Sequence, residues 1–121
     1  DLARIEVFKV LHVRPVANDT EQSQIGSVIA EVLLNEQDDD GVRNYAGIAA
    51  ASYMVVPQVD EAVEKIVRNT QATPDLRANA FAAIERSSRT TKTIRLIQTL
   101  LQDNQFSQTA RRVLREWGVT P

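Results

Sequence analysis

The sequence holds no cysteine. That excludes disulfides, thiolate metal sites and a cysteine nucleophile. It holds one histidine, His12, so no His-rich metal site can form, and carboxylates alone suit only hard cations. The acidic run Asp38-Asp39-Asp40 lacks the spacing of an EF-hand loop. It reads instead as charge placed at a helix N-terminus. The four glycines form no phosphate-cradling run. Aromatic residues make up 5% and Trp117 is the one indole, so stacking platforms for bases are scarce. No apolar run nears the ~20 residues of a membrane-spanning helix, and membrane insertion is not expected. No basic-then-apolar leader is visible, and the compartment stays unassigned. No carboxylate pair stands out, and no Ser or Asp arrangement around His12 suggests a triad. We therefore expect no enzymatic activity, no cofactor and no metal site.

What is present suits a helical domain. The chain has 121 residues and is 43% hydrophobic, enough for one domain with an ordinary core. Net charge is −2 but unevenly spread. Residues 15–64 carry ten acids and one base, Arg43, while residues 65–121 carry ten bases and four acids. An acidic and a basic region are expected.

The sequence repeats itself at a 34-residue period. Val42-Arg43-Asn44-Tyr45-Ala46 lies over Leu76-Arg77-Ala78-Asn79-Ala80, and that lies over Ala110-Arg111-Arg112-Val113-Leu114. Val28, Ala62 and Leu96 share a column, as do Val32, Ile66 and Leu100. Gln37, Gln71 and Gln105 share another. Residues Ala3-Arg4, Val7 and Val10 join the scheme at an offset of 39 from Val42-Arg43, Ala46 and Ala49.

Each copy reads as two helices. Apolar residues at 28, 29, 32 and 33 make one helical stripe, and those at 42, 46 and 49 make another. Asn18 before Glu21 suits a capping box, Pro57 and Pro74 suit first helical turns, and Gly118 suits a helix stop. The spacing predicts helices over 2–13, 20–34, 40–54, 58–69, 74–87, 91–103 and 107–117, with short linkers that favour antiparallel neighbours. No period-two alternation predicts a strand. The expected fold is all-α: a right-handed α-α superhelix of helix pairs in a single domain, 1–121. Its units are 20–54, 57–87 and 91–118. Helix 2–13 reads as the second helix of a unit whose first helix is absent, so a fragment of a longer repeat protein is expected.

Leu33-Leu34, Asp38-Asp39-Asp40, Val42-Arg43 and Ala46 together resemble the HEAT repeat, with its paired leucines, acidic turn, Val-Arg and alanines. Thr73-Pro74-Asp75-Leu76-Arg77 with Ala80 and Ala83 is similar, and Leu100-Leu101, Asp103, Arg111 and Leu114 make a weaker copy. The tetratricopeptide repeat shares the period, but its Trp, Leu-Gly and Tyr pattern is missing. The HEAT resemblance implies a structural ladder along the stack, with arginines Arg43, Arg77 and Arg111. The family places Asp where this chain has Gln37, Gln71 and Gln105. Asn35, Asn69 and Asp103, two residues earlier, are the alternative partners.

The resemblance implies a binding scaffold, with another protein as the partner. Second helices usually line the inner surface of such stacks, which points to Asn44, Tyr45, Ala78, Asn79, Arg112 and Arg115. Two alternatives stay open. Leu76-Arg77, Ala80-Phe81 and Asn104-Gln105 look loosely like the helical domain of vitellogenin-type lipid-transfer proteins. Arg86, Arg89, Lys92 and Arg95, with the basic last helix, suit a nucleic-acid-binding solenoid, which is not favoured. Some HEAT-like proteins are DNA glycosylases, but no catalytic residue of theirs maps onto this chain.

Overall fold

The computed structural model describes residues 1–16 and 18–121, and among them it is all-α with no strand. Seven α-helices follow in order. They are α1 (Leu2–Val13), α2 (Asp19–Leu34), α3 (Asp40–Ala50), α4 (Pro57–Arg68), α5 (Pro74–Glu85), α6 (Thr91–Thr99) and α7 (Ser107–Glu116). A 3-10 turn over Leu100–Gln102 continues α6. The chain divides into two compact units, Asp1–Arg86 and Ser87–Pro121. The division falls between the second and third copies of the repeat.

Within the first unit the even and odd helices separate into layers. Helix α1 packs on α3 and α3 on α5, while α2 packs on α4. The layers join through α2 on α3 and α4 on α5. This pattern follows from the stripes. Each helix has apolar residues enough for more than one neighbour. Ile29 and Leu33 of α2, Val59, Val63 and Val67 of α4, Val42 of α3 and Leu76 of α5 are all buried. One pair could not cover them, so each pair leans on the next.

The corners between paired helices repeat in atomic detail. Helix α2 ends at Asn35 (φ −85°, ψ 96°) and α4 at Asn69 (φ −84°, ψ 99°). In each the side-chain oxygen accepts from the backbone N–H two residues on, Gln37 at 3.1 Å and Gln71 at 2.9 Å. The second unit has the same turn: Asp103 Oδ1 accepts from Gln105 N–H at 2.8 Å. This is the local bond by which Asn and Asp imitate a backbone turn. Four residues after Asn35 and Asn69 the next helix is capped in kind. Asp39 accepts from Val42 N–H at 3.0 Å and Thr73 from Leu76 N–H at 3.4 Å. Asn18 and Thr90 cap α2 and α6 in the same way.

Helix bounds depart from expectation by several residues in two places. Helix α6 ends at Thr99, rather than at 103, and passes into the 3-10 turn. Helix α3 stops at Ala50 rather than at 54. The chain tightens there through i to i−3 bonds, Ser52 N–H to Ala49 and Tyr53 N–H to Ala50. Pro57 biases the preceding Val56 toward extended backbone, and Val56 lies at ψ 119°. Tyr53 is fully buried and its hydroxyl accepts from Val16 N–H at 3.0 Å.

In the second unit α7 ends as expected at Gly118, with φ 74°. Gly118 N–H bonds Arg115 O at 3.0 Å and Val119 N–H bonds Leu114 O at 2.8 Å, the paired bonds of a Schellman stop. Leu96, Ile97, Leu100, Phe106, Ala110, Val113 and Leu114 are the buried apolar residues of this unit.

One glycine sets a layer spacing. A methyl group at Gly26 of α2 would lie 2.7–2.9 Å from three carbons of Val56, a residue at the start of α4 that is itself buried. Gly26→Ala should therefore destabilise the chain by about 1–2 kcal/mol. The overpacking outweighs the ~1 kcal/mol that alanine gains in an open helix. Urea unfolding measures this, and a stabilised variant would mean that α2 and α4 do not approach so closely.

Candidate functional site

Two of the three repeated arginines, Arg43 and Arg77, face helix ends. Arg43 Nη2 donates to the Leu33 carbonyl at 2.6 Å. One period later Arg77 Nη2 and Nε both donate to the Val67 carbonyl, at 2.6 and 3.2 Å. Leu33 and Val67 lie in the last turns of α2 and α4, whose carbonyls lack a partner within their own helix. A guanidinium there meets both the bonding deficit and the negative end of the helix dipole. The two sites are not identical. Arg77 is 4% exposed, whereas Arg43 is half-buried and its Nε is without a partner among the described residues. Arg111, in the second unit, is exposed and makes no such bond among the described residues.

The glutamine column does not contribute side chains to these bonds. Gln37, Gln71 and Gln105 are exposed, and what ties them to the corner is the backbone N–H that each donates to Asn35, Asn69 or Asp103. Asp38, one residue after Gln37, forms the acid–arginine pair. Arg4 of α1 grips it with two nitrogens, Nη1 to Oδ2 at 2.9 Å and Nη2 to Oδ1 at 2.8 Å. Arg4 Nη2 also reaches Asp1 at 2.8 Å. Arg4 occupies in α1 the place that Arg43 has in α3. Sequence comparison pointed to positions 35 and 37 for the partner. The acidic triplet at 38–40 was the available signal, read only as capping charge. The hydrogen bond from Arg4 holds the Asp38 carboxyl below its ordinary value, helped by the Asp39 N–H, and the Asp38 bond raises Arg4 above its own.

Two side-chain contacts run across the α1–α3–α5 layer. Lys9 Nζ of α1 stands 5.1 Å from the centre of the Tyr45 ring on α3. Asn79 Nδ2 of α5 reaches the Asn44 carbonyl of α3 at 3.4 Å and its side-chain oxygen at 3.5 Å. Asn44, Tyr45 and Asn79 are half-buried and Ala78 is exposed. A small residue brings the two helices together here: a methyl at Gly47 would lie 3.2 Å from Asn79 Cβ. The structure thus gathers Asn44, Tyr45 and Asn79 on neighbouring helices of the first unit. Arg112 and Arg115 belong to the second unit and are both exposed. Arg112 Nη1 holds both oxygens of Glu116, at 3.0 and 3.1 Å, so part of its charge is already balanced. Arg89 lies 5.2 Å from the Trp117 ring, a cation–π contact within the same unit.

A second feature was not anticipated. Helices α1 and α2 leave between them an apolar groove of about 520 Å³, lined by Val7, Phe8 and Leu11 from α1 and Ile25, Val28 and Val32 from α2. Val7 is 56% and Val28 51% exposed. Val10 (57%) and Val13 (74%) continue the apolar surface of α1. An excess of valine and leucine on α1 was the sequence signal, but periodicity alone does not separate a covered stripe from an open one. No described His, Cys, Asp or Glu residues cluster as a metal site, and no described helix is long and apolar enough to cross a membrane.

Two measurements bear on these geometries. Arg77→Ala should lower stability by about 2–3 kcal/mol, because it removes charge-assisted bonds and leaves a buried carbonyl bare. Arg111→Ala should cost under ~0.5 kcal/mol. Equal costs in urea unfolding would contradict the difference in burial. For Asp38 the sign follows from its depressed pKa. The pair stabilises above the ordinary aspartate range, near 3.8, and the contribution is lost as pH falls through the lower folded value. Asp38→Asn should therefore be less stable than the parent at neutral pH, with the gap narrowing below pH ~4. A gap that stays constant down to acid pH would show that the ion pair contributes nothing.

Compared with family models, with curated proteins and with solved structures, the chain matches none.

Proposed function

We propose that this chain is a helical-repeat interaction module that binds another protein along the surface of its second helices, α3 and α5 in the first unit. One observation supports the reading most. The polar and aromatic side chains Lys9, Tyr45, Asn44 and Asn79 are aligned across three neighbouring helices, rather than scattered. A surface held by packed helix backbones pre-organises its contact groups, which cuts the entropy lost on binding. Tyr45 and Asn79 offer what protein surfaces bind through: an amphipathic ring and adaptable amide donors. The HEAT-like motif residues favour the same reading, since stacked helix pairs build extended recognition surfaces. Arg112 and Arg115, exposed on the last helix of the second unit, are a separate candidate contact.

Photo-crosslinking from two positions checks the proposal. A benzophenone side chain at Ala78 of α5 and another at Lys65 of α4 are both exposed. The expected result in the cells that make the protein is a discrete protein adduct from position 78 and none from position 65, unchanged by nuclease. Adducts from 65 alone would contradict the assigned surface, and adducts that nuclease removes would favour nucleic acid. Arg112→Ala combined with Arg115→Ala, tested by itself, should weaken partner binding while shifting Tm by under ~2 °C, as exposed substitutions do.

A further inference from the structure

We draw no further inference here: the strongest candidate, the apolar groove between α1 and α2 lined by Val7, Phe8, Leu11, Ile25, Val28 and Val32, carries nothing because nothing in the structure shows what covers it.

Discussion

A helix end with no partner for its last carbonyls is the constraint from which this architecture follows. Every short helix of the first unit reaches that condition within three or four turns. The solution recurs at a fixed interval. Asn35 or Asn69 closes the turn with its own side chain, and an arginine ten residues after Leu33 or Val67 bonds the stranded carbonyl from the following helix. The corner thereby fixes how the second helix of a pair returns along the first. With that geometry repeated, equivalent stripes face equivalent grooves, and Ile29 and Leu33 of α2 meet the α3 and α4 surfaces in register. Hydrophobic burial supplies the bulk of the favourable energy, but it is indifferent to direction. The corner bonds supply the direction.

The differences among corners follow from burial. Arg77 is enclosed and spends two nitrogens on one carbonyl, whereas Arg43 spends one and leaves Nε without a described partner. The second unit keeps the Asx turn at Asp103 but not the arginine bond, and α6 runs into a 3-10 turn at the point where α2 and α4 stay α-helical. At that end Gly118, through a left-handed residue and two tight bonds, stops the last helix instead. Between α1 and the turn that joins α2 to α3, Arg4 and Asp38 add a surface ion pair one period apart, with two parallel bonds. A paired acid there keeps its charge to lower pH than a free one.

Much of this was legible in the residues. The 34-residue period placed the helices, because apolar stripes and capping residues such as Asn18, Thr73 and Pro74 are local signals. The end of α3 was less legible. Its apolar pattern runs on through Tyr53, and the stop depends on Val56 before Pro57 and on where the Tyr53 hydroxyl finds Val16. The arginine column was visible, but its acceptors were not, since a carbonyl carries no sequence identity. Family analogy pointed to the Gln column, with Asn35, Asn69 and Asp103 as alternatives, while the oxygens that Arg43 and Arg77 bond are the Leu33 and Val67 carbonyls. The Arg4–Asp38 pair and the α1–α2 groove were hidden for a related reason. Each depends on which side of a helix lies open, and Val28 in the sequence looks no different from Ala62 one period on.

The corner geometry can be read amide by amide. In hydrogen exchange followed by NMR, the N–H groups of Gln37, Gln71 and Gln105 should exchange more slowly than their neighbours Glu36, Thr70 and Asn104, because only the former donate to the Asx oxygen. Protection at all three glutamines would mean that one corner has been built three times. Exchange at the rate of the neighbouring exposed amides would mean that the turns are not held this way, and the account of how register is set would fail.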